Sequence, residues 1–157
     1  MKKKIAMILF AIFLFVFIVT SVISIKNRIL SSILKDEELE IFIPTSISDY
    51  YTDNMKFGFD GQKIWRYDLN NEDTVKIEEE IYSFPWKLVK EEENYKLNFY
   101  FGKSKPENLS ETIYYCLYDL RLQEFIDFNY GDLLGWSRLL FLYDCETHSY
   151  YCIYMDI

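Results

Sequence analysis

Cys145, His148 and Cys152 form the one stretch whose residue types and spacing resemble a soft-metal motif, Cys-x-x-His-x-x-x-Cys. Zinc asks for four near-tetrahedral ligands, or three with an open position for chemistry. No second Cys or His cluster supplies the rest, and strand alternation would scatter these three, so no metal site is expected. His148 then reads as an exposed turn residue. The same sulfurs suggest a different use, a cross-strand disulfide between Cys145 and Cys152, which an oxidising exterior would permit. Cys116 would be left over. Cys116 and Cys152, set among Tyr and Leu, read equally as small buried hydrophobes.

Carboxylate acid–base chemistry needs two acids held about 5–10 Å apart in a cleft. Asp119, Glu124 and Asp127, flanked by Tyr and Phe, are the candidates, and with them the chain would be a small envelope hydrolase. Glu78–Glu80 and Glu91–Glu93 are contiguous runs of the kind that form solvated faces. There is no Gly-x-Ser-x-Gly elbow, and a single imidazole serves the whole chain. Asp49 to Asn54 lacks the spacing and glycine of a calcium loop, and Gly58 and Gly61 make no phosphate cradle. No catalytic, cofactor or metal residue is assigned, and a non-enzymatic role is expected.

Aromatic residues carry what functional content remains. Tyr114, Tyr118, Phe125, Phe128, Tyr130 and Trp136 lie close in sequence, and strand alternation would turn some of them outward as a binding surface for a protein or glycan. A Tyr-rich sheet also uses Tyr simply as a strand former. Asn108-Leu109-Ser110 matches a glycosylation acceptor, a pattern short enough to arise by chance.

These residues need elements to position them. Alternation over Leu39–Ile43, stopped by Pro44, predicts a short strand, and Ile47–Asn54 a polar loop. Asp60-Gly61 between Met55–Phe59 and Gln62–Leu69 predicts a hairpin. Asn71 or Asp73 can cap a helix with Val75, Ile77, Ile81 and Tyr82 on its apolar stripe, ending before Pro85. Extended chain follows at Trp86–Val89, then strands at Tyr95–Phe101 and Thr112–Tyr118. Leu120–Gly131 is ambiguous between helix and irregular chain. Trp136–Tyr143 and Tyr150–Asp156 close the sequence as a hairpin. Several of these strands are apolar on both faces, which implies a sheet covered by helix on part of each side. The fold class is α+β, an antiparallel sheet with one or two packed helices.

The N-terminal end differs in kind. Lys2, Lys3 and Lys4 precede an uncharged stretch from Ile5 to Ile25, whose 21 residues would reach about 30 Å as a helix, the thickness of a hydrocarbon core. The stretch is long for a signal peptide and no Ala-x-Ala site follows, which favours an uncleaved anchor. The basic start favours a cytoplasmic N-terminus with the rest of the chain outside the membrane. The organisation is therefore a transmembrane anchor over 1–25, a helical or linker extension over 26–38 carrying the stripe Ile29, Leu30, Ile33, Leu34, and a domain over 39–157. All 25 acidic residues lie beyond residue 25, against 14 basic ones, for a net charge of −11 there. A sequence pI of 4.7 argues against nucleic acid, since phosphate contacts need a basic face. The acidic charge would instead steer a basic partner, as in an immunity-type protein against a membrane- or envelope-acting toxin.

Asp53-Asn54-Met55-Lys56-Phe57-Gly58-Phe59-Asp60-Gly61-Gln62-Lys63-Ile64, followed by a helix and Trp86-Lys87-Leu88, resembles small uncharacterised membrane-anchored or lipoprotein-like proteins of low-GC Gram-positive bacteria. Leu142-Tyr143-Asp144 through Tyr150-Tyr151 carries the same resemblance, although the first stretch is poorer in Gly and His than those proteins are. The resemblance implies an α+β extracytoplasmic domain and no activity. With the residues themselves, it leads to the expectation of a single-pass protein of the cell membrane whose outer domain binds a partner in the envelope.

Overall fold

Asn70 starts the first helix of the folded domain. Its Oδ1 accepts the Asp73 N–H at 2.9 Å, its carbonyl accepts the Thr74 N–H, and its Nδ2 donates to Asp73 Oδ2 at 3.0 Å. These contacts make Asn70 the cap, one residue ahead of Asn71 and three ahead of Asp73, the two caps expected from sequence. Helix α1 (Asn71–Ser83) follows, with Ile77 and Ile81 buried and Val75 and Tyr82 exposed, so its apolar stripe is narrower than the sequence pattern implied.

The computed structural model describes residues 7, 10–15, 17, 30–35, 39–44, 47–53, 61–83, 86–128 and 137–156. The chain divides into two units, Met1–Ile41 and Phe42–Ile157. In the first, residues 7, 10–15, 17 and 30–35 are helical, and the Leu39 N–H returns to the Leu34 carbonyl at 3.0 Å. Among the described residues no helix is long and apolar enough to cross a membrane. Much of the expected anchor, 1–25, lies outside the described residues.

Among the described residues the second unit has seven strands: β1 (Asp49–Asp53), β2 (Gly61–Asp68), β3 (Lys87–Leu88), β4 (Ile113–Asp119), β5 (Glu124–Ile126), β6 (Arg138–Asp144) and β7 (Ser149–Asp156). All pairs are antiparallel, in the order β1-β2-β7-β6-β4, and β3 and β5 share the last position by pairing different stretches of β4. Helix α2 (Asn94–Phe101) sits between β3 and β4 in the chain, preceded by one 3₁₀ turn (Glu91–Glu93) and followed by another (Gly102–Ser104). The class is α+β with an antiparallel sheet, as expected.

Register assigns the two faces. One carries Ile64, Ile153, Leu140, Leu142, Leu117 and Tyr115, which bury against Leu97, Tyr100 and Phe101 of α2 and against Phe128. The other carries Trp65, Tyr67, Tyr150, Cys152, Phe141, Tyr143 and Cys116, all buried. There α1 approaches through Glu78, which accepts from the Tyr143 hydroxyl, and Trp86 lies 6.3 Å from Tyr150 between ring centroids. Both faces are thus helix-covered in part, which is why the central strands tolerate apolar residues at every position.

Three elements differ from expectation. Tyr95–Phe101 is helix, because Leu97, Tyr100 and Phe101 stand on one face of α2 and fill the sheet surface below, and this burial outweighs the strand preference of its aromatics. Leu39–Pro44 forms no strand; the Phe42 N–H bonds a side chain instead, Glu80 Oε2 at 2.8 Å. The partner arm of β2 is Asp49–Asp53, which read as loop, with Asp53 opposite Gln62. Met55–Phe59 and Asp60 lie outside the described residues. In the closing hairpin Asp144 pairs with Ser149 across a four-residue turn, and His148 adopts φ +49 there.

Candidate functional site

Past the reach of α2, the α2-covered face of β2 and β7 is open. Chain after the 3₁₀ turn at Gly102–Ser104 forms one wall, and two adjoining hollows of about 310 and 350 Å³ share Arg66, Pro106, Glu107 and Tyr151. Arg66 and Tyr151 are direct cross-strand partners, so the β2–β7 register is what brings them together. Ile64 and Phe101 floor one hollow, and Ser149, Thr147 and Asn108 line the other. Arg66 is held in place by Asp68, whose Oδ1 accepts from Nε at 3.1 Å and lies 3.0 Å from Nη2. Asp68 in turn accepts the Ser149 hydroxyl at 3.5 Å, and its own N–H donates to Ser48 Oγ at 2.7 Å. Burial pushes the Tyr151 phenol up, against the opposing charge of Arg66, so it stays a protonated hydrogen-bonding group. Opposite, Lys105 reaches Asn98 Oδ1 at 2.6 Å.

The arrangement suits recognition. It presents a guanidinium, an ammonium, a carboxylate, a phenol, three hydroxyls and an amide around an apolar floor, the mixture that orients a polar ligand. Ser149 faces a carboxylate without an imidazole between them: His148 directs Nδ1 to the Tyr143 hydroxyl, on the opposite face of the sheet. Among the described residues the Ser149 hydroxyl therefore meets the Asp68 carboxylate and no imidazole.

The aromatic surface expected from sequence is taken apart by the fold. Phe128 is buried and stacks on Tyr115 at 3.9 Å between centroids with an interplanar angle of 4°, and on Tyr100 at 5.6 Å. Tyr118 is buried as well, edge-on to half-buried Phe125 at 5.0 Å. Tyr114 is half-buried opposite Leu88 at the sheet edge. Tyr130 and Trp136 lie outside the described residues. Strand alternation puts Tyr114 and Tyr118 on one face of β4, where Tyr118 is buried and Tyr114 half-buried.

The three candidate carboxylates do not converge. Asp119 is buried, 3.4 Å from Arg138 Nε, and its Oδ1 accepts the Arg121 and Leu122 N–H groups of the following turn. Glu124 is exposed on β5. Asp127 is bonded by Lys87 Nζ at 2.5 Å and by the Tyr115 hydroxyl at 3.0 Å; the lysine first, then the phenol, hold its carboxyl below the usual range. None of them lines the hollows around Arg66. The cysteines stay apart too: Cys116, Cys145 and Cys152 are free. Phe141, not Cys145, stands opposite Cys152, and Cys145 lies past the Asp144–Ser149 rung, itself roughly 10 Å along the strands from Cys152 and outside disulfide reach. Among the described residues no three metal-ligating side chains gather.

No family model, curated protein or solved structure matches the chain. Geometry alone speaks for the groove, and sequence reasoning passed it over. Arg66 and Asp68 share a strand face and could have been noted as a pair, but Tyr151 and Ser149 join them only through strand pairing across more than 80 residues.

Proposed function

We propose that this chain is a membrane-tethered binding module, non-enzymatic, with its α+β domain outside the cytoplasmic membrane and a polar partner, protein or glycan, received around Arg66 and Tyr151. One observation carries the tether. Met7, Phe10, Ile12, Phe13, Leu14, Phe15 and Phe17 stand on helical residues and are 47–70 % exposed. Apolar side chains on all sides of a helix are at rest in lipid and costly in water, at about 25 cal/mol for each Å². The three lysines ahead of them favour a cytoplasmic N-terminus. The mixed polar lining of the groove supports recognition as the role of the outer domain.

Cys145 makes the topology testable. It is half-buried, whereas Cys116 and Cys152 are buried. Burial, then Asp144 and Glu78, push its thiol up to about 11, so labelling is best run near pH 8.5, where more thiolate forms. A membrane-impermeant maleimide should label intact cells at this position and lose the signal in Cys145→Ser. Labelling confined to lysed cells would place the domain in the cytoplasm. The tether has its own test: the chain should stay with membranes through alkaline carbonate extraction, and release into the supernatant would remove it. For the groove, a photo-crosslinker at Asn108 should capture a partner on intact cells that one at exposed Glu79 does not. Equal capture at both positions would count against the groove.

A further inference from the structure

The single histidine of the chain is tied to a hydrogen-bond chain that crosses from a helix to a turn. The Tyr143 hydroxyl lies 3.1 Å from Glu78 Oε1 on α1 and 3.3 Å from Nδ1 of His148 in the β6–β7 turn. One hydroxyl hydrogen cannot serve two acceptors. A glutamate carboxylate at neutral pH only accepts, so Tyr143 donates to Glu78 and its oxygen is left to accept from the imidazole. Tyr143 keeps its proton throughout, because burial first, and Glu78 next to it, push the phenol up. The imidazole must then carry hydrogen on Nδ1.

We infer that Glu78, Tyr143 and His148 form a proton-ordered latch that fastens α1 to the last hairpin, complete only when His148 Nδ1 bears hydrogen. Two states of the ring qualify, the imidazolium and the neutral Nδ1–H tautomer; the neutral Nε2–H tautomer breaks one of the two bonds. In that third state either the tyrosine turns to Nδ1 and abandons Glu78, or two lone pairs face each other. The turn is built to hold the ring in place. His148 sits at φ +49, a conformation strained for a side chain with a Cβ, and its carbonyl accepts the Leu69 N–H at 2.9 Å from the end of β2.

A lone histidine makes the test unambiguous, because long-range ¹H–¹⁵N correlation of the full chain in detergent micelles shows one imidazole. Near pH 9 the wild type should show Nδ1 at a protonated shift and Nε2 at an unprotonated one, the reverse of free histidine. Glu78→Ala removes the acceptor of the Tyr143 hydroxyl, which frees its hydrogen for Nδ1, and the ring should change to Nε2–H. Tyr143→Phe should restore the preference of free histidine and raise amide exchange at least threefold in residues 145–148 and in α1, with little change in β4. An Nε2–H ring in the wild type overturns the inference. So does a tautomer that ignores Glu78→Ala, a change on the exposed side of α1 that spares the core even if Tyr143→Phe does not fold.

Discussion

Asp119 and Arg138 face each other across β4 and β6 as a buried ion pair, Oδ2 to Nε at 3.4 Å, with side chains 2 % and 4 % exposed. They stand on the α2-covered face of the sheet, two rungs beyond the apolar pair Leu117 and Leu140. Two charges taken out of water return little net stability as a pair, but either one alone is expensive.

Asp119→Ala should therefore cost about 3–5 kcal/mol, because it strands the guanidinium and frees the Arg121 and Leu122 amides. Asp119→Leu with Arg138→Met should recover most of that, leaving about 1–2 kcal/mol for the lost turn contacts. Urea midpoints of the four-corner cycle decide it. A single variant within about 1 kcal/mol of wild type would mean that the pair is solvated.

Asp144 should govern part of the acid limb. Burial raises its carboxyl, yet hydrogen bonds from Ser110 and Thr147 outweigh that and hold it below the usual range. A carboxyl lowered on folding stabilises above its unfolded value, near 4, and that contribution drains away as pH falls through the folded value. Asp144→Asn should cost about 1–3 kcal/mol at pH 7, with the gap to wild type closing below about pH 4 in thermal melts. A gap that stays constant to pH 2.5 would show that the charge is not what holds the turn.

Phe128 and Tyr95 separate core from surface. Phe128→Ala should lose about 3–5 kcal/mol, since the ring is stacked between Tyr115 and Tyr100. Tyr95, 66 % exposed, should change stability by less than about 0.5 kcal/mol as alanine. Comparable losses at the two sites, read from denaturant midpoints, would return Phe128 to the surface.

Thiol counting tests the free cysteines. Folded protein should react with one equivalent of a disulfide reagent, at Cys145, and with two more after denaturation. Burial pushes Cys116 and Cys152 up and shields both. Two equivalents that appear only after reduction would mean that a disulfide forms after all.

Local pattern was enough for much of this fold. The strands expected over Gln62–Leu69, Thr112–Tyr118 and Tyr150–Asp156 are set by neighbours within a few residues and formed to within a residue or two, and the helix expected after Asn71 or Asp73 formed with Asn70 as its cap. The charge imbalance and the apolar N-terminal run are likewise properties of the chain itself. Tertiary structure decided what depends on a surface supplied from elsewhere. Tyr95–Phe101 became helix because a sheet face from four distant strands needed covering, and Phe128 and Tyr118 became core for the same kind of reason. Asp49–Asp53 became a strand because β2 offered an unpaired edge. Arg66 met Tyr151, and Tyr143 met both Glu78 and His148, through register and helix placement that no short-range rule encodes. Side-chain chemistry is written residue by residue, but burial and pairing belong to the whole folded surface.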